Sequence, residues 1–436
     1  MKHFLSERID VRSIDDLRVN PGNARKHSRQ QVDAIAKLIQ RYGWTNPVLV
    51  SADGMVIAGH GRISAARKIG LTEVPTICLS HLSADELRAY ALADNRIAER
   101  ATWDNELLAI DLQYLVDIEF DLSLTAFEMG EIDLILDEAG GIENGVEEPA
   151  VPRLAQAAVT RAGDLWTIGQ HRLLCGDAQH SPVYEKLVGA EIVSMLFTDP
   201  PYNVRIDGNV SGRGKHREFA FASGEMSERE FTAFLTNVLA CASQVLRDGA
   251  IAYVCMDWRH MREMLDAGGL IFGPLKQLCV WNKSNAGLGT FYRSKHELIF
   301  IFKNGNAPHV NNFRLGEMGR HRSNVWDFPG MSSPGASRQA DLADHPTVKP
   351  VQLIQDAILD CSNRNDLVLD CFGGSGSTLL AAERAGRRAR LIEIDPLYCD
   401  TIIRRAADAA GLDATLGVDG PTFEQVAAER AQQKVA

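Results

Sequence analysis

The sequence predicts an α/β protein: a mostly parallel sheet with helices on both faces over residues 161–412, preceded by a smaller α+β unit over residues 1–98. Two patterns predict it. Apolar strand-like runs alternate with amphipathic helix-like runs through 161–412, which is how a sheet covered on both faces is written. Residues 1–98 mix short strands, turn residues and three helical patterns within fewer than a hundred positions. Hydrophobic content of 45% and charged content of 24% are those of an ordinary globular chain. The chain is long enough for two or three domains.

The elements follow in order. SRQQVDAIAKLIQRYG places Val32, Ile35, Ala36, Leu38 and Ile39 on one helical face. PVLVS and MVIAG are strands joined at Ala52-Asp53-Gly54, a hairpin turn. GHGRISAARKIG opens a helix from a glycine loop, VPTICL is a strand, and SADELRAYALADNRI is a helix with a capped start. Residues 99–160 read as a helical connector (NELLAIDLQYLVDI) and an acidic linker (GGIENGVEEPAVPRLAQ) rich in Gly, Pro and Glu. Strands are then expected at HRLLCG, IVSMLFTD, AIAYVCMD, LKQLCVWNK, HELIFIFKN, LVLDCFG and RARLIEID. Helices are expected at EREFTAFLTNVLACASQVL, VQLIQDAILDCS and GSTLLAAERAG. Residues 413–436 read as a polar tail.

Several function classes are excluded or disfavoured. No run of about 18 apolar residues is present, so a membrane-spanning helix is not expected. The first residues lack a signal-peptide core, and the eight cysteines stand singly with no CxxC pair. A cytoplasmic location with free thiols is the expectation, with no metal site. The net charge of −11 is uneven. Residues 121–148 hold nine acids and no Lys or Arg, whereas 281–322 hold Lys283, Arg293, Lys295, Lys303, Arg314, Arg320 and Arg322 against Glu297 and Glu317. That stretch can offer a positive surface to phosphates.

Three motifs carry chemistry. Asp370-Cys371-Phe372-Gly373-Gly374-Ser375-Gly376 follows a strand and opens a helix, and its glycines let backbone N–H groups approach a ligand. Glu393 lies seventeen residues after Gly376, at the tip of the next strand, where such folds hold ribose hydroxyls. The loop lacks GK[ST] and is no phosphate-binding P-loop. Thr198-Asp199-Pro200-Pro201-Tyr202-Asn203 follows an apolar strand. Two prolines can continue neither strand nor helix, so they build a rigid ledge of acceptors, with Tyr202 as a stacking face. His345-Pro346-Thr347-Val348-Lys349-Pro350 precedes a helix and by itself reads first as a proline-marked helix start.

Together DPPY, FGGSGS with the acid of IEID, and HPTVKP resemble the amino-type DNA methyltransferases, in the motif order of their β subgroup, over residues 161–412. GDLWTIGQHRLLCGDA (163–178) resembles the opening of such domains in phage and bacterial modification enzymes. Cys371 stands where the pattern usually has proline and Ser377 where it has threonine. The resemblance implies a Rossmann-like sheet and S-adenosylmethionine as cofactor. It places Asp370, Phe372, Gly373, Gly374, Ser375, Gly376 and Glu393 in the cofactor pocket, with His345, Thr347 and Lys349 near its methionine end and Asp177 also lining it. It implies that Asp199, Pro200, Pro201 and Tyr202 hold a base flipped out of DNA. The expected product is N6-methyladenine, with cytosine N4 as the alternative; no Pro-Cys dipeptide supports carbon-5 chemistry. Lys283, Arg293, Lys295, Arg320 and Arg322 are the expected DNA contacts, while Trp281, Phe300 and Phe302 read equally as core. Val56-Ile57-Ala58-Gly59-His60-Gly61-Arg62 resembles the loop of the ParB/sulfiredoxin-like fold, over about residues 8–98. It implies that Gly59, His60, Gly61 and Arg62 meet a nucleotide or DNA phosphate, or that the unit is an accessory. A ParB-like regulator with an inactive methyltransferase domain is the reading from another class. The oligomeric state is open, a homodimer included.

Overall fold

The computed structural model describes residues 9–139, 148–204, 224–284, 291–313, 320–330 and 348–435. It divides into two compact units, Met1–Gly141 and Ile142–Ala436.

The first unit starts with strand β1 (Ile9–Ser13) and helix α1 (Arg29–Tyr42), whose first turn is capped by the Ser28 side chain accepting from Gln31 N. Strands β2 (Val48–Val50) and β3 (Val56–Ala58) form the expected hairpin, closed by Gly54 N donating to Ser51 O at 3.0 Å. Gly59, at φ +108°, turns the chain into helix α2 (His60–Lys68). Strand β4 (Glu73–Cys78) and helix α3 (Ala84–Arg100) follow, α3 starting with a Ser83/Glu86 capping box. The sheet order is β1-β4-β2-β3, and Ile14, Val48, Val50, Val56, Ile63 and Val74 form its core. Helices α4 (Asn105–Asp117) and α5 (Met129–Ala139) pack on each other through Leu108, Leu112 and Ile132.

The second unit runs β5 (Leu165–Ile168), β6 (His171–Cys175), α6 (Ser181–Val188), β7 (Val193–Thr198), α7 (Glu228–Val245), β8 (Leu246–Met256), α8 (Met261–Phe272), β9 (Gln277–Asn282), β10 (His296–Lys303) and β11 (Val325–Asp327). It ends with α9 (Val351–Cys361), β12 (Leu367–Asp370), α10 (Ser377–Arg384), β13 (Arg388–Glu393), α11 (Pro396–Ala410), β14 (Ala414–Leu416) and α12 (Phe423–Val435). One ten-stranded sheet has the order β11-β9-β10-β8-β7-β12-β13-β6-β5-β14. The five central strands are parallel, and antiparallel pairs flank them. Helices α6–α8 cover one face and α9–α11 the other, each over its own apolar core. Trp281, Phe300 and Phe302 lie in these cores.

The expected polar tail is structured: β14 pairs with β5, and Phe423 is buried with its ring centroid 5.4 Å from that of Trp166. Among the described residues, no helix is long and apolar enough to cross a membrane. No group of three or more His, Cys, Asp or Glu side chains could hold a metal there.

Candidate active site

The order of the sheet dictates where a site can form. From β7 the chain crosses through α7 to β8 on one side; from β12 it crosses through α10 to β13 on the other. A crevice opens at such a reversal, outside the carboxyl ends of the two strands. Because β7 and β12 are parallel neighbours, with Val368 opposite Met195 and Leu369 opposite Leu196, the proline ledge and the glycine turn leave the same edge side by side. Thr198 joins them: its hydroxyl donates to Asp370 Oδ1 at 3.0 Å and accepts from Cys371 N at 3.1 Å.

The glycine turn is held from beneath. Asp370 accepts from Phe372 N at 3.0 Å and from the Thr378 hydroxyl at 2.6 Å. Gly374 and Gly376 adopt φ +51° and +85°, which lets the backbone reverse into α10. Glu393 accepts from Gly374 N at 2.8 Å and from Asp395 N at 2.9 Å. Arg405, which the sequence did not single out, donates to the Ser375 carbonyl and hydroxyl at 3.1 Å each. Asp177 follows the end of β6, where Gly176 N donates to Glu393 O at 2.9 Å. Burial pushes Asp370 up to about 7 against the pull of its Thr378, Phe372 and Thr198 donors, and burial pushes Glu393 up to about 7 as well. Two buried carboxyls repel a phosphate, but they suit a ligand that carries hydroxyl donors and a positive charge. Each oxygen of Glu393 has one backbone donor and a lone pair to spare. This donor set fits S-adenosylmethionine.

The ledge is held from the side. Asp199 accepts from the Tyr202 hydroxyl at 2.6 Å and pairs with Lys349. Lys349 also donates to the Tyr202 hydroxyl at 3.1 Å and pairs with Glu297 at 3.0 Å, and Glu297 pairs in turn with Lys283. Burial opposes every charge here. It raises the Asp199 carboxyl despite Lys349, and raises the Tyr202 phenol further with Asp199 beside it. Burial would also raise Glu297, but Lys349 and Lys283 outweigh it and hold the group down at about 2. For Lys349 the burial penalty is overcome by Asp199 and Glu297, which keep it protonated. Pro200 and Pro201 fix the backbone between these contacts. Asn203, at φ +51°, anchors the far end: its side chain accepts from Gly224 N and Met226 N and donates to Met226 O.

Glu297 was missed from the sequence, although an acid opening the apolar run HELIFIF was the available signal. Lys349 lies against the ledge; His345 and Thr347 fall outside the described residues. The expected DNA contacts separate into two groups. Lys283, Arg293 and Lys295 belong to the β9–β10 hairpin, where Lys283 N donates to Lys295 O at 2.8 Å. Arg293 and Lys295 are exposed beside the exposed pair Phe291 and Tyr292. Arg320 and Arg322 instead pair with Asp356 and Asp360 of α9 and are largely buried, so their charge is neutralised within the fold. In the first unit, Gly59, His60, Gly61 and Arg62 come together at the start of α2, and burial lowers the His60 imidazole.

Comparison with known proteins finds three family matches along the chain. A family model described as DNA methylase matches residues 193–404, a ParB N-terminal domain matches 2–96, and a ParB-methyltransferase HTH domain matches 106–162. The ParB-like nuclease domain-containing protein YnaK of Escherichia coli is 40% identical over 84 residues, 19% of this chain and 97% of that protein. The DNA adenine methyltransferase YhdJ of Escherichia coli is 27% identical over 247 residues, 50% of this chain and 78% of that protein. The crystal structure of the M1.HpyAVI–SAM complex is similar over 53% of this chain and 97% of that one, at 20% identity and a TM-score of 0.39. With the ledge, the glycine turn and Glu393 on adjacent strand ends, the chain carries a DNA methylase domain of the N6/N4 family, with a ParB N-terminal domain in front of it.

Proposed function

We propose that this DNA methyltransferase modifies N6 of adenine, and that Asp199, Pro200, Pro201 and Tyr202 hold the target base while the turn 370–376 and Glu393 hold the cofactor. The observation that carries the reading is the hydrogen bond from Thr198 to Asp370, which fastens the two loops across a single crevice. S-adenosylmethionine supplies a methyl group on a cationic sulfur, which is already electrophilic.

The residues of the chain must then solve the problem of the nucleophile. An exocyclic amino nitrogen is weak because its lone pair is delocalised into the ring. Asp199 can accept one of its N–H bonds, since Tyr202 and Lys349 occupy only one acceptor direction on each carboxylate oxygen. A carbonyl of the proline pair can accept the other. Accepting both bonds makes the nitrogen pyramidal and turns its lone pair toward the methyl group. Burial raises Asp199, so the carboxylate is also suited to take the proton that the nitrogen loses. Lys349 stays protonated and fixes the direction of Asp199. The Tyr202 ring, held by its hydroxyl, offers the stacking face. Asp rather than Ser at position 199, and the adenine specificity in the name of YhdJ, favour adenine over cytosine.

The test is nucleoside mass spectrometry of unmodified DNA incubated with the protein and S-adenosylmethionine. N6-methyladenine is expected. N4-methylcytosine would overturn the base assignment, and no modified nucleoside on any DNA tried would overturn the transfer itself.

A further inference from the structure

Helix α4 has two apolar faces. Leu108, Ala109 and Leu112 face inward, with Leu112 and Leu108 packed on Ile132 of α5. The opposite face repeats at positions 107, 110 and 114, with Trp103 just before the helix and Ile118 at its C-cap. These five side chains are 61%, 64%, 62%, 68% and 52% exposed, for Leu107, Ile110, Tyr114, Trp103 and Ile118 respectively. Spacing of three and four places Leu107, Ile110, Tyr114 and Ile118 in one stripe, as on the seam of a helix that packs against another helix. A contiguous apolar stripe of this kind marks an interaction surface.

The surrounding charge is of one sign. Residues 101–152 contain fourteen Asp and Glu and no Lys or Arg. On α4 itself, Asp111 borders the stripe on one side, and Glu106 and Asp117 border it on the other. A helix-turn-helix that reads DNA needs cations for the phosphates, because backbone contacts supply most of the affinity. Helices α4 and α5 have none, and the whole match to a family described as an HTH domain, residues 106–162, adds only Arg153 and Arg161 near its end. A second copy of the chain would bring the same acids against these.

We propose that the outer face of α4 docks a basic amphipathic helix of another protein, apolar along one stripe and lined by Lys or Arg on both sides. Such a helix lays its apolar residues along Trp103, Leu107, Ile110 and Tyr114, while its cations meet Glu106, Asp111 and Asp117. The segment is then a protein-docking module between a DNA-associated fold and a methylase, and the inference is independent of which base is methylated.

The experiment uses the full chain and two synthetic, dye-labelled peptides of about twenty residues. Both carry Leu at heptad positions a and d; one has Lys and the other Glu at the flanking positions. Fluorescence anisotropy should show the Lys peptide binding at least tenfold more tightly than the Glu peptide. The double variant Ile110→Ser/Tyr114→Ser should weaken the Lys peptide at least tenfold. Both side chains are exposed, so circular dichroism should be unchanged. Equal binding of both peptides, or of neither, would overturn the proposal. So would a concentration-dependent dimer in sedimentation that the double variant dissociates, since the occupant is then a second copy. Weakened binding of a DNA duplex by the same uncharged double variant would assign the face to DNA and overturn it as well.

Discussion

The loop after β7 is stiffened by two prolines and by side chains that reach it from far along the chain, Lys349 from before α9 and Glu297 from β10. The loop after β12 is stiffened by glycine conformations, short-range backbone bonds and two buried carboxyls that hold protons up to about pH 7. The two lie a hydrogen bond apart, yet one is organised by fixed charges and the other by backbone shape. In the proposed function the ledge polarises an amino group during a reaction, which calls for preset charge. In the same proposal the turn admits a ligand closely and releases it, which calls for an open backbone and acceptors that adapt.

Separating the two loops by mutation should therefore separate catalysis from cofactor binding. The largest effect is expected at Asp199. Asp199→Ala should lower the methylation rate by about a thousandfold or more. Calorimetry on the same variant should give a cofactor dissociation constant within about threefold of the parent, and a lost binding isotherm in a folded protein would merge the two loops into one functional unit. Next comes Lys349→Met, which leaves the buried Asp199 and Glu297 with less positive charge. It should cost about 3–5 kcal/mol in denaturant unfolding, and an unchanged midpoint would mean that the ion network contributes nothing to the fold.

Glu393 probes the other loop. Glu393→Ala should raise the cofactor dissociation constant by about tenfold or more, the loss of a charge-assisted contact. Its raised titration gives this prediction a pH signature. Ionised Glu393 accepts from hydroxyls better than the neutral acid, so cofactor affinity should increase with pH around 7 in the parent and less steeply in Glu393→Gln, where Asp370 still titrates. Stability of the cofactor-free protein should run the opposite way. Glu393 keeps its proton to about pH 7 when folded but loses it near its ordinary 4.5 when unfolded. Its contribution is therefore complete below 4.5 and lost as pH climbs to about 7. A parent protein whose stability is level across that window, or a Gln variant that keeps the full slope rather than the share left by Asp370, would contradict the assignment. The smallest effect is expected at Gly374→Ala. A Cβ there would meet only Phe372 O, at 3.9 Å, so the cost is the left-handed backbone alone, about 1 kcal/mol.

Much of the fold could be read from the residues. The expected strands of the parallel centre are there because they bury both faces, and β7 and β12 read as largely apolar runs, IVSMLF and LVLD. Strands β5, β11 and β14 escaped because three or four residues at or next to a sheet edge leave no such run. The tail looked polar because only Phe423 and Val426 of its helix are needed in the core. In the site, local motifs marked the two loops, but partnerships across the chain were invisible. Nothing near Lys349 announces Asp199, 150 positions earlier. Arg320 and Arg322 look like any cations until α9 presents Asp356 and Asp360 to them.

The hydrogen bond between Thr198 and Asp370 spans 172 positions of sequence. Contacts between such distant residues form late, after the entropy of closing a long loop has been overcome. A chain emerging from the ribosome therefore makes the loop after β7 well before either the Lys349 that braces it or the opposing turn exists. The methylase half stays inert through most of its synthesis, and any truncation ahead of β12 yields a product with half a crevice.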